Sequence, residues 1–110
     1  MDEKPEEKYW HLVLGDSRFK DTYHAVKTIA KTKKPDLIFI DTHHTYEHVT
    51  AELINWLPFS KHSTVWLFHD TWMMGEYNHM TDAIKQFAKD QGFIYEDLST
   101  ESHGLGVVNA

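Results

Sequence analysis

Three acids stand at the ends of apolar runs in this chain: Asp16 after "LVLG", Asp41 after "LIFI" and Asp70 after "VWLFH". If the runs are strands of one parallel sheet, their C-terminal ends share an edge, and ligands of open α/β sheets bind at that edge. Carboxylates gathered there, with water, suit a hard divalent cation such as Mg²⁺. Histidines crowd the same positions. His44 follows Asp41 by three residues, and a histidine there can serve as a general base near neutral pH. His43 is expected to face away. His69, just before Asp70, can hydrogen-bond within the rim or approach a substrate.

Two other readings compete. Strand-end aspartates often cap the next helix. Spacing argues against that here, because Asp21, Thr45 and Thr81 stand closer to the following helical segments than Asp16, Asp41 and Asp70 do. His44 and His48 are four apart and on a helix could share a transition metal. An isolated pair of this kind is more often two solvated side chains.

The elements that must carry these residues alternate. "YWHLVLG" reads as a first strand, with residues 12–14 as its buried part. "DTYHAVKTIAK" reads as a helix with Asp21 as N-cap, Tyr23, Val26, Ile29 and Ala30 inward, and Pro35 beyond its end. "LIFI" is a second strand. "YEHVTAELINWL" is a helix with Tyr46, Val49, Leu53, Trp56 and Leu57 on one face. "TVWLF" is a third strand, "WMMGEYNH" a loop, and "TDAIKQFAKDQG" a helix burying Met80, Ala83, Ile84, Phe87 and Ala88 and stopped by Gly92. "FIYEDL" and "GLGVV" are two more strands. Their connection is too short for a parallel crossover, so they must be antiparallel neighbours. The expected architecture is α/β, with about five strands, the first three parallel and the last antiparallel, and three helices. Residues 1–9 form a charged lead-in and residues 10–110 a single domain.

Composition narrows the function classes. The 110 residues are 41% hydrophobic and 25% charged, with a net charge of −6, so a nucleic-acid-binding role, which needs a basic face, is not expected. The chain has no cysteine, which excludes disulfides and thiolate metal sites. No apolar run reaches membrane-spanning length, and the N-terminus is too charged for a signal peptide. A cytoplasmic protein without a membrane partner is the expectation.

The segment "PDLIFIDTHHTYEHVTAELINWLP" resembles class I S-adenosylmethionine-dependent O-methyltransferases, in particular the sugar and macrolide O-methyltransferase-like group. The resembling residues are Ile40, Asp41, His44, Tyr46 and Glu47, joined by "FHDTW", "TDAIKQF" and "LVLGDSRF", so that the likeness extends over residues 10–108. The resemblance implies a truncated Rossmann-like fold. It implies Asp41 and Asp70 as ligands of a metal, Mg²⁺ in metal-dependent relatives, His44 as general base, and Asp16 and Ser17 beside the adenine of S-adenosylmethionine. Residues 72–79 would border a small-molecule hydroxyl substrate.

The family fold has two further strands, one ending in a glycine-rich turn and one in a ribose-binding acid. The five glycines here, Gly15, Gly75, Gly92, Gly104 and Gly106, form no such turn. The expectation is therefore the C-terminal part of such an enzyme, weak or absent in cofactor binding by itself. The apolar sheet edge left open would be covered in a homodimer or by a partner chain. The alternative is a non-catalytic, methyltransferase-derived binding module.

Overall fold

The computed structural model describes residues 10–42, 45–73, 76–77 and 79–110. Helix α1 (Lys20–Ala30) leads into strand β1 (Leu37–Ile40), helix α2 (Tyr46–Trp56) with a 3-10 turn at Leu57–Phe59, and strand β2 (Val65–His69). Two short strands follow, β3 (Trp72–Met73) and β4 (Glu76–Tyr77), then helix α3 (His79–Gln91) and strands β5 (Ile94–Ser99) and β6 (Leu105–Asn109).

The main sheet has the order β1-β2-β6-β5. β1 and β2 are parallel, with Ile40 opposite Phe68. β6 runs antiparallel to both its neighbours, β2 and β5. The segment 72–77, read from sequence as a loop, pairs as a two-stranded ribbon, Trp72 with Tyr77 and Met73 with Glu76.

Side chains alternate across each strand. Ile40, Trp66, Phe68 and Val108 point to one face and meet Val49 and Leu53 of α2 and Met80, Ala83, Ile84, Phe87 and Ala88 of α3. The whole inner face expected for α3 is buried, and Gly92 adopts φ +71° just beyond its end. That left-handed conformation is one glycine takes at little cost. The opposite sheet face carries Leu37 and Phe39, each 53% exposed.

Three sequence expectations are corrected. "HLVL" is not a strand, and among the described residues the main sheet has four strands rather than about five, with two parallel strands, β1 and β2, rather than three. Residues 10–13 line a cleft of about 840 Å³ with Val26, Ile29 and Ala30 of α1 and residues 31–35, and make no ladder with β1. The segment finds no adjacent strand among the described residues, and an unpaired strand would leave its backbone groups without partners. Leu12 and Leu14 are accordingly exposed.

Asp21 is not the N-cap of α1. Phe19 holds that place without a side-chain bond, and Asp21 lies in the first turn, where its charge faces the positive helix end. The apolar faces of α1 and α2 are also narrower than their periodicity predicts. Ile29 and Tyr46 are exposed, while Glu52 and Asn55 of α2 are buried.

Candidate active site

Parallel pairing of β1 with β2 brings Asp41 alongside His69, with Asp70 next in the chain. One ligand atom from each of Asp41, His69 and Asp70 falls within 4.8 Å of the others. His69 Nδ1 is 3.4 Å from Asp41 Oδ1 and 3.1 Å from Asp70 Oδ1. Ligands on opposite sides of Ca²⁺ stand about 4.6–5.2 Å apart, and neighbouring ligands of Mg²⁺ about 3 Å, from their ordinary bond lengths. The three groups therefore fit one divalent cation. Asp41 is exposed and Asp70 is largely sheltered, which leaves a water-accessible side for exchangeable ligands.

Asp70 is held in an uncommon backbone conformation, φ 63°. Its amide donates to Gly104 O at 3.1 Å, and the Trp72 amide donates to His103 O at 2.8 Å. The β5–β6 loop thus fixes the direction in which the Asp70 carboxylate leaves the end of β2. Left-handed backbone at a non-glycine residue is sparsely populated and concentrates at functional sites.

Asp16 and Ser17 have different fates. Arg18 closes on Asp16 through its backbone amide at 2.9 Å, Nε at 2.9 Å and Nη2 at 2.6 Å. These hydrogen bonds hold the Asp16 carboxyl well below the usual carboxylate range. Ser17 Oγ donates to Glu52 Oε2 at 2.6 Å. The backbone of this turn is pinned to α2. Asn55 Nδ2 donates to Ser17 O and Phe19 O, and Trp56 Nε1 donates to Ser17 O at 2.7 Å. Ser17, Thr42, Glu52 and Trp56 line a cavity of about 320 Å³ along β1, together with Phe39 and Ile40. Asp16 is turned to Arg18 and is not among the lining residues.

His44 lies outside the described residues, as do Met74 and Gly75 of the candidate substrate loop. The helix that follows His44 is well anchored, since Thr45 caps α2 by accepting from the His48 amide at 3.2 Å. His48 Nε2 is 3.4 Å from Glu52 Oε1, inside the protein rather than over the rim.

His69, expected either to hydrogen-bond within the rim or to approach a substrate, lies between the two rim acids. Glu52, to which the sequence assigned no role, is 1% exposed. Its signal was present but faint: Glu52 stands next to the inward Leu53 on a helix whose neighbouring turn must be held down.

An open α/β sheet with helices on the described side and a carboxylate cluster at the C-terminal edge of its parallel strands defines the class of proteins that bind ligands at that edge. Within that class the chain belongs to a methyltransferase family, because a family model described as a methyltransferase domain matches residues 2–71, well over half the chain. The match includes Asp16, Ser17, Asp41, His44 and Asp70 and stops short of α3, β5 and β6, so it is shorter than the expected likeness over residues 10–108. No curated protein and no solved structure matches. Among the described residues, no helix is long and apolar enough to cross a membrane.

Proposed function

We propose that the rim of β1 and β2 is the acceptor side of an S-adenosylmethionine-dependent O-methyltransferase site, assisted by a divalent cation. The observation that carries this reading is the convergence of Asp41, His69 and Asp70 within the family-matched region and the strand that ends there. S-adenosylmethionine supplies an electrophilic methyl group when bound, and a divalent cation supplies positive charge that lowers the pKa of a nearby hydroxyl. Asp41 and Asp70 would hold the cation, with His69 beside them. His44 would accept the proton that the acceptor hydroxyl gives up. Ser17 and the β1 wall border the nucleoside end of the donor. Sugar hydroxyls are the acceptor class that the resemblance favours.

The test is calorimetric titration of the chain with Mn²⁺ or Mg²⁺, with and without S-adenosylmethionine. One ion per chain is expected, with affinity reduced at least tenfold in both Asp41→Asn and Asp70→Asn. Equal affinity in the variants would remove the cation from the proposal.

A second reading, a methyltransferase-derived binding module, is favoured by the open β1 edge, where Leu37 and Phe39 are more than half exposed. Apolar faces of this kind mark interfaces. A homodimer, or a partner chain seated on β1, satisfies both readings.

A further inference from the structure

We infer that Glu52 is a positioning residue of the site, a single buried carboxyl group that ties the turn at Ser17 and the end of β1 to α2. The inference rests on the proposed site for its consequence, though its geometry stands independently. Glu52 is 1% exposed, and a carboxylate taken from water is costly unless it is hydrogen-bonded. It accepts from Ser17 Oγ at 2.6 Å and from Thr42 Oγ1 at 2.5 Å, with His48 Nε2 at 3.4 Å. Both hydroxyl bonds are short.

The two donors come from separate loops: Ser17 follows Asp16, which Arg18 clamps, and Thr42 follows the rim acid Asp41. One oxygen of Glu52 therefore fixes the turn after residue 15, and the other fixes the end of β1. α2, which carries Glu52, is itself capped by Thr45. Thr42 and Thr45 flank positions 43 and 44, so both sides of that dipeptide are referred to the same helix. If stability alone were at stake, an apolar side chain packed here would serve as well or better. A buried carboxyl group hydrogen-bonded to two loops instead specifies where those loops sit. Glu52, Ser17 and Thr42 also border the cavity along β1, so the lock shapes the wall a ligand would meet.

The experiment is residue-resolved amide hydrogen exchange, together with Mn²⁺ titration, on the full chain and on Glu52→Ala, Glu52→Gln, Thr42→Val and Ser17→Ala. Glu52→Ala should accelerate exchange at residues 17–18 and 41–42 about tenfold or more, with Trp66 and Phe68 in the core unchanged. It should weaken Mn²⁺ binding severalfold. Glu52→Gln, which keeps an acceptor for one hydroxyl and a donor for the other, should restore most of the protection. Thr42→Val should loosen residues 41–42 alone and Ser17→Ala residues 17–18 alone, a pattern that stays readable if Glu52→Ala fails to fold. Uniform acceleration across the sheet, or unchanged exchange at both loops, would overturn the inference. If the unmodified chain binds no Mn²⁺, the metal reading fails while the exchange pattern still decides the role of Glu52.

Discussion

Asp70 and Gly104 hold one another in place. Asp70 sits at φ 63° and donates its amide to the Gly104 carbonyl at 3.1 Å, while Gly104 sits at φ +90° against the Trp72 amide. A Cβ on Gly104 would fall 2.6 Å from Trp72 N and 2.8 Å from Thr71 Oγ1, both parts of the chain that carries Asp70. Gly104→Ala should therefore cost about 2–4 kcal/mol, from left-handed strain plus a backbone clash. Thermal denaturation should show a fall of about 10 °C or more for a domain of this size. A change within 2 °C would mean that the loop yields freely.

The strain at Asp70 predicts a trade between stability and binding. Asp70→Gly relieves the left-handed conformation and removes a carboxylate from beside Asp41 and His69. The variant should melt at or slightly above the original temperature, by up to about 1 kcal/mol of added stability. It should at the same time lose Mn²⁺ affinity. Loss of both together would show that Asp70 serves the fold.

The Asp16–Arg18 clamp sets a pH dependence. Its hydrogen bonds depress the folded-state pKa of Asp16, so its contribution is complete above the unfolded value of about 3.9 and fades as pH falls below it. Carbon-detected titration of the Asp16 carboxyl should give a midpoint below the ordinary range, returning toward about 3.9 in Arg18→Ala. Because both side chains are solvated, the variant should lose little stability at neutral pH. An unchanged midpoint would assign the depression to another group.

For the general-base role, His44→Ala should lower kcat by about 10²–10⁴ in an active assembly while leaving acceptor affinity within about twofold. Steady-state kinetics with a hydroxyl acceptor checks this. Equal turnover would take His44 out of the chemistry.

The open edge of β1 predicts association. Sedimentation at micromolar concentration should show a species larger than the 13.0 kDa chain. Phe39→Lys puts a charge on an exposed edge residue and should shift the population toward monomer with little change in melting temperature. A monomer in both forms would mean that the β1 edge takes no copy of this chain.

The sequence alone determined whatever is written at short range. The burial of α3 follows from apolar spacing, and the cap of α2 from Thr45, because both depend on residues within a turn or two of each other. The acids at the strand ends were legible for the same reason, and parallel pairing then brings Asp41 and Asp70 together. Tertiary structure decided the rest. "HLVL" has the composition of a strand, but a strand exists only with a partner, and no composition supplies one. Little local marks Glu52, which is bonded only once Ser17, 35 positions away, and Thr42 are folded onto it. His69 became part of the rim through the register of β1 on β2, and the left-handed turn of Asp70 through the β5–β6 loop. Each of these depends on contacts between residues far apart in the chain, where local patterns carry no information.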